Sequence, residues 1–332
     1  MKTTLGAIAR EANVSVATVD RVLNDREGVK PHTREVVLHV ARKLGYFSSD
    51  GKEPQHLRLD FLLPAGGNSF IQQLQTQLQE ETESRSQIDA RVHWIDWFDS
   101  ENLAAMFAGL IGKTDAVAIV AIDNPTVREG ISKLTEAGIK VAMLVSDIPG
   151  APKVGYVGIN NRSAGRLAGY LIGRFLPRDA TAKLALFVGS LSYRGHEERM
   201  MGIRSVLSHE FPTIQISEMI EFNDRRETAY TLAKKLLKEA PPDAIYNIGS
   251  GNQGIAQALR ESEHARNIIF IGHDLTTASR EMLLDRTMDA VIDQDFRAEA
   301  REVVKLLISS VENSCELEYP PRLQVFFREN LP

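Results

Sequence analysis

Apolar positions along this 332-residue chain follow one rhythm up to about residue 45 and another from Leu57 onward. In the first stretch Leu5, Ile8, Ala9 and Ala12 fall at helical spacing before Asn13-Val14 interrupts them. Ser15 is placed to cap a second short helix whose apolar face is Val19, Val22 and Leu23. Pro31 suits the first position of a third helix, with Val36, Val37, Val40, Ala41 and Leu44 as its inward stripe and Gly45 as its left-handed C-cap. The small Ala9 and Ala12 let the first two helices cross closely, and Val14 fills the corner between them. Three short helices with a tight turn between the first two form the helix-turn-helix plan.

From Leu57 the pattern changes. Short apolar runs at 59–63, 90–95, 116–122, 141–145, 183–188, 214–220, 244–248, 268–271 and 290–292 alternate with amphipathic stretches at 71–83, 126–137, 164–175, 197–209 and 228–239. Such β-α alternation predicts an α/β fold of parallel sheets covered on both faces. Residues 58–332 are too many for one compact doubly wound sheet, so two lobes are expected. The first takes residues 58–178 and 295–318, the second 182–292 and 321–332. No Gly-x-Gly-x-x-Gly or P-loop opens these helices, which weighs against a nucleotide-dependent enzyme, and no cofactor is expected.

Composition narrows the class. A hydrophobic content of 43% with 25% charged residues suits a globular protein that can bury its own cores. No run approaches ~18 uninterrupted apolar residues, so no membrane partner is expected. The opening MKTTLGAIAREANV breaks its apolar run at Arg10 and Glu11, unlike a secretory signal. The single cysteine, Cys315, excludes an intramolecular disulfide and cannot by itself build a zinc site. These features together predict a cytoplasmic protein. Charge is uneven: residues 1–50 hold eight Lys/Arg against six Asp/Glu, so this head is +2, while the rest of a chain of net −5 carries −7. That asymmetry permits contact with phosphates without requiring it.

In a helix-turn-helix the second helix enters the major groove of double-stranded DNA, N-terminal residues first. Here those residues are Val16, Ala17 and Thr18, with Arg21 one turn on. Arg21 can bond a guanine bidentately, Val16 and Ala17 can touch thymine methyls, and Ser15, Thr18 and Thr33 can position phosphates. In open parallel sheets ligands bind beyond the carboxyl ends of the strands. The residues just after the runs are Asn68, Ser69 and Phe70; Ser146 and Asp147; Asn160 and Asn161; Tyr193, Arg194 and Glu197; Ser250 and Asn252; His273 and Asp274; and Gln294 and Asp295. Carboxylates, amides and an aromatic ring suit a polyhydroxylated ligand, whose hydroxyls both donate and accept. Taken singly, any of these Asp or Asn residues can instead cap the following helix. Trp94, Trp97 and Phe98 can stack a sugar or simply pack, and His93, His196 and His273 show no metal-ligand spacing.

The segment from Leu5 to Tyr46 resembles the head of the lac repressor (LacI/GalR) family, above all at VSVATV, at RVLN, at Thr33-Arg34-Glu35 and at Leu44-Gly45-Tyr46. Asp20 stands where most members carry serine and adds a negative charge beside the DNA-reading face. The remainder resembles the type I periplasmic binding-protein fold that the family's sensors share with ribose-binding proteins. That likeness is clearest at GINNRSAG (158–165), at Gly272-His273-Asp274 and at VIDQD (291–295). The resemblance implies that Asn68, Phe70, Asp147, Asn160, Asn252, Asp274 and Gln294 face an interlobe cleft. Two departures stand out. The family's sugar-binding arginine falls on Glu197, with Arg194 positioned to compensate. The connection at 47–57 is broken by Gly51 and Pro54, where members have a hinge helix, and Leu57 reads more readily as the lead into a strand than as a minor-groove wedge.

The expectation is therefore a transcription regulator of the repressor kind, with a DNA-binding head at 1–46, an atypical linker at 47–57 and an effector domain at 58–332. A homodimer would hold a pseudo-palindromic operator, and a sugar or polyol effector would control it. The alternatives are a transport-type carbohydrate-binding protein, which would dispense with the head, and a sugar-processing enzyme, for which Asp147 and Asp274 could supply paired carboxylates.

Overall fold

The computed structural model of the chain describes residues 4–23, 26, 28–44, 56–96, 99–177, 181–264, 267–312 and 322–332. Gly45, Tyr46, the linker residues 47–55, Trp97, Phe98 and Cys315 lie outside the described residues. The chain divides into two units, Met1–Gln55 and His56–Pro332.

The head forms α1 (Leu5–Glu11), α2 (Val16–Leu23) and α3 (Pro31–Lys43). Thr4 caps α1, and the Ser15 hydroxyl accepts from the Thr18 amide at 3.1 Å to cap α2 as the sequence predicts. Asn13 turns the chain with φ 51, a left-handed conformation that asparagine tolerates better than most residues. Ile8, Ala9, Ala12, Val19, Val22, Val37, Val40 and Ala41 make the buried core. These are the centres of the stripes read from the sequence, with Leu5, Leu23, Val36 and Leu44 partly buried against them.

The larger unit has two lobes. In lobe 1, β1 (Leu57–Pro64), β2 (Ile88–Ile95), β3 (Ala116–Ile119), β4 (Lys140–Leu144) and β5 (Gly155–Val157) form a parallel sheet in the order β2-β1-β3-β4-β5. The continuous apolar run of β1 is explained by burial on both faces. Leu59, Phe61 and Leu63 pack beneath α4 (Ser69–Glu83) and α12 (Phe296–Val311), while Leu62 joins the core under α5 (Ser100–Leu110) and α6 (Pro125–Glu136). Asp60 is fully buried on that second side and is held by Arg91 at 3.0 Å and His93 at 2.6 Å. Leu57 begins β1 and sits in the core, as a strand residue.

In lobe 2, β6 (Ala182–Val188), β7 (Ile214–Glu221), β8 (Ala244–Asn247), β9 (Ile269–His273), β10 (Ala290–Asp293) and β11 (Gln324–Phe326) lie in the order β11-β10-β9-β8-β6-β7, with β11 antiparallel to β10. One face carries α7 (Asn161–Phe175) and α8 (Arg194–Glu210); the other carries α9 (Arg226–Glu239), α10 (Asn252–Arg260) and α11 (Thr277–Leu284).

The lobe boundary is corrected at one point. Lobe 1 was expected to run to residue 178, but Ala164, Ala168 and Ile172 of α7 are buried with β6 and α8 in the core of lobe 2. The chain crosses just before α7, near residue 160. Small residues permit this packing. A Cβ on Gly165 would stand 1.9 Å from the Arg199 carbonyl oxygen, and one on Gly202 would stand 2.2 Å from that of Arg162. Glycine at both points brings the two helices together backbone to backbone. Among the described residues no helix is long and apolar enough to cross a membrane.

Candidate effector cleft and DNA-reading surface

On α2, Val16, Ala17 and Arg21 are exposed on the face opposite Val19 and Val22, so the residues expected to read bases are free of the head's core. Val16 is 49% exposed. The hydroxyls of Ser15 and Thr18 lie 2.8 Å apart, and Thr33 is half-buried on α3. Asp20 forms an exposed ion pair with Arg26 at 3.3 Å, which offsets the extra negative charge beside this face.

Between the lobes lies a cavity of about 950 Å³. Lobe 1 supplies the turn from Pro64 to Phe70 after β1, together with Asp96 and Ser146 after other strands. Lobe 2 supplies Asn161, Tyr193, His196 and Arg199, the Asn223–Glu227 loop after β7, Ser250 and Asp274. Gln294 enters from the segment that returns to lobe 1.

Arg199 anchors the lobe 2 wall. Its side chain is buried; Nε donates to Asn161 Oδ1 at 2.8 Å and Nη1 donates to the Ile248 carbonyl at 3.0 Å. Asn161 in turn donates to the Tyr156 hydroxyl at 3.5 Å, which stands 3.1 Å from the carbonyls of Val145 and Ile159. Burial raises the Tyr156 pKa, so the phenol keeps its proton. The guanidinium is thus fixed by α7, by the end of β8 and, through Tyr156, by lobe 1.

Two carboxylates accompany it. Asp274, held at φ 68 just past β9, accepts from Gln294 Nε2 at 2.7 Å. Burial deep in the cleft pushes its pKa up to about 6, against the opposing pull of Arg199. Asp224 accepts from the Ser250 amide at 2.7 Å and the Ser250 hydroxyl at 3.0 Å. It lies across the ends of β6 and β8, where a Cβ on Gly189 or Gly249 would come within 2.4 Å of its carboxylate. His196 hydrogen-bonds through Nδ1 to Ser190, and burial lowers its pKa and keeps it neutral. Behind the wall, Glu299 of α12 is fully buried, and neither carboxyl oxygen has a partner among the described residues. Burial first, then Asp274 and Asp293, raise its pKa well above the ordinary range.

Ser146 Oγ and Gln294 Oε1 line the cavity, are buried, and have no hydrogen-bond partner among the described residues. A buried polar atom left unpaired is costly, so these two oxygens mark where a polar ligand or water completes the site.

Of the effector residues expected from sequence, Asn68, Phe70, Asp274 and Gln294 line this cavity. Asn68 also caps α4 through the Phe70 and Ile71 amides, and Phe70 is only 3% exposed, a member of the lobe 1 core rather than an open stacking ring. The other five stand off the lining. Asp147 pairs with Lys153 at 2.6 Å, and Asn160 caps α7 through the Ser163 amide at 2.8 Å. Arg194 is occupied by Glu197 at 2.6 Å and Glu198 at 3.2 Å along its own helix. Asn252 is buried between Asn247 and the His273 carbonyl, tying β8 to β9. The arginine assignment is corrected accordingly. Arg199, two residues beyond Glu197, lines the cleft, whereas Arg194 does not.

Asp224, absent from the sequence expectation, follows the 214–220 run after Glu221-Phe222-Asn223, where the strand-end rule points to it. Arg199 carries no strand-end signal, since it lies on the second turn of a helix. The histidines are engaged structurally: His93 with Asp60, His196 with Ser190 and His273 with Tyr246 at 2.7 Å. No group of three potential ligands among the described residues is placed to hold a metal. Trp94 is 46% exposed on β2 and does not line the cavity.

Comparison with known proteins agrees with this division. A family model described as bacterial regulatory proteins, lacI family, matches residues 4–49, and one described as periplasmic binding protein domain matches residues 59–313. Catabolite control protein A of Staphylococcus xylosus is 29% identical over 271 residues, 79% of this chain and 78% of that protein. The ribose operon repressor of Bacillus subtilis is 23% identical over 292 residues, 82% of this chain and 81% of that protein. Among solved structures, a periplasmic solute-binding protein of Actinobacillus succinogenes with bound D-allose superposes with a TM-score of 0.74 at 19% identity, covering 82% of this chain and 98% of that one. A solute-binding protein of Burkholderia graminis in complex with D-arabinose gives 0.77 at 18% identity, covering 84% and 98%.

Proposed function

This chain belongs to the lacI family of bacterial transcription regulators, with a periplasmic binding protein domain as its sensor, and we propose that a small carbohydrate or polyol in the cleft controls its hold on an operator. The observation that carries the proposal is the convergence of Arg199, Asp274 and the unpartnered oxygens of Ser146 and Gln294 on one interlobe cavity. A guanidinium and a carboxylate, each already fixed by protein bonds, present directed donors and acceptors to vicinal hydroxyls without reorganising. Occupancy bridges Ser146 on lobe 1 to the charged wall of lobe 2 and favours the closed arrangement of the lobes.

At the other end, Val16, Ala17 and Arg21 read base edges, while Ser15, Thr18 and Thr33 position phosphates. A homodimer presents two such heads to the half-sites of a pseudo-palindrome, in the cytoplasm where the DNA is. An enzymatic reading has less support: Asp147, one half of the carboxylate pair it would use, is engaged by Lys153.

The test is selection of double-stranded DNA from a random library at moderate salt, followed by competition with sugars and polyols. A palindromic sequence should emerge, bound at least tenfold more weakly by the Arg21→Ala variant, and one carbohydrate should shift its affinity. Failure to enrich any sequence would sink the proposal.

A further inference from the structure

We infer that the effector occupies two adjoining subsites, so that the cleft takes a saccharide or glycoside of at least two rings rather than one sugar ring. The inference rests on the carbohydrate reading given above. A second cavity, of about 650 Å³, opens between the same two lobes. Ser69, Arg226 and Gln253 line both cavities, so the two spaces adjoin. The first cavity alone, at about 950 Å³, is already near the upper end of the roughly 300–1,000 Å³ that encloses drug-sized ligands. In the present arrangement of the lobes, a single ring bound against Arg199 and Asp274 leaves part of that volume open.

The walls of the second cavity carry the argument further. Gln72, Gln73 and Thr76 of α4 face it from lobe 1, and Gln257, Thr276 and Thr277 face it from lobe 2. Amides and hydroxyls that both donate and accept therefore stand on either side, the functional groups that match a run of sugar hydroxyls. Lobe 2 also lines it with Arg260, Glu281, Ala278 and Met282, whereas the lobe 1 side is amides and hydroxyls alone, and amides closed together must all find partners. One of them has not done so: Gln73 Oε1 is buried with no partner among the described residues. An entering hydroxyl is the donor that atom needs. Arg226 and Gln253, at the junction of the two cavities, are placed to contact the glycosidic link or the second ring.

The test uses the full chain in a thermal-shift screen of monosaccharides paired with their homodisaccharides across the common hexoses and pentoses, with calorimetric titration of every hit. The disaccharide is expected to bind at least tenfold more tightly than its component sugar. Gln73→Leu combined with Gln257→Ala should erase that surplus while leaving monosaccharide affinity within about twofold. Both positions lie on helix faces bordering the cavity, and unfolding midpoints will show that the variant folds. Monosaccharides binding as tightly as their disaccharides would overturn the two-subsite inference and leave the carbohydrate reading standing. So would equal weakening of both ligands in the double variant. If neither class binds, the carbohydrate reading falls and takes this inference with it.

Discussion

On the lobe 1 side the cavity meets the turn Pro64-Ala65-Gly66-Gly67, the capping Asn68, the edge of Phe70 and the hydroxyl of Ser146. On the lobe 2 side it meets Arg199, Asp224, Asp274 and His196, each fixed by bonds to neighbouring strand ends or loops. Both walls are the carboxyl edge of a parallel sheet, yet one carries Asp96 as its single charged group among small and apolar ones, while the other gathers Arg199, Asp224 and Asp274. The difference assigns unequal work. On the proposed function, lobe 2 would carry the directional bonds that select a ligand, and lobe 1 would act as a cover whose closure depends on fit and a few polar contacts.

Substitutions on the two walls should therefore separate stability from recognition. Phe70→Ala has the largest expected effect, and it falls on stability: truncating a core phenylalanine costs about 3–5 kcal/mol. Urea unfolding measures this, while calorimetry on the folded fraction should show affinity changed less than tenfold. A loss of affinity matching that of an Arg199 variant would erase the distinction between the walls.

Arg199→Met comes next. Hydrogen bonds to a charged group contribute roughly 1.5–3 kcal/mol each, so effector affinity should drop by about ten- to a hundredfold or more. Ser146→Ala, across the cleft, removes a neutral hydrogen bond of about 0.5–1.5 kcal/mol and should cost no more than about tenfold. Titration of both variants with the same sugar checks the ratio, and equal losses would contradict the assignment of selectivity to lobe 2.

A further effect concerns pH. Because burial raises the Asp274 pKa to about 6, its ionised form is penalised in the folded state relative to the unfolded chain. Below about pH 4 the carboxyl is protonated in both states and no penalty applies. As pH rises to about 6 the unfolded chain ionises first, so stability is lost through that window and stays lower above it. Relative to the parent, the Asp274→Asn variant should gain stability between pH 4 and 6 and hold the gain at higher pH. The gain is at most about 3 kcal/mol, because the side chain faces a cleft that admits water. Unfolding curves at four pH values measure it, and a constant offset would refute the assignment.

The unequal walls also explain what the sequence made legible. Periodicity located the three head helices and the main strands because burial dictates those spacings directly. The strand-end rule then found the right loops, but it fixes position along the chain and not the direction of a side chain. Asp147, Asn160 and Asn252 obey the rule and spend their polar groups on a neighbouring lysine, a helix N-terminus and an adjacent strand. Arg199 escaped because its place depends on how deeply α8 settles against α7, which Gly165 and Gly202 decide in three dimensions. The assignment of α7 to lobe 1 failed similarly: an amphipathic helix between two sheets does not declare which one it covers. The three-residue strands β5 and β11 are too short to form a period at all.

The path of the chain has a consequence for its synthesis. Lobe 1 leaves the ribosome first, but its core includes Ala300, Val303, Val304 and Leu307 of α12, which follow the five parallel strands of lobe 2. Until α12 has emerged, the inner face of β1 and the apolar side of α4 lack the helix that covers them. Lobe 2 has its five parallel strands by residue 293 and can consolidate earlier, although it begins later. The lobe translated first is thus completed by a segment translated after most of the second, so the nascent chain carries an uncovered apolar surface through most of its elongation. Such a surface is prone to aggregation for as long as it stays uncovered.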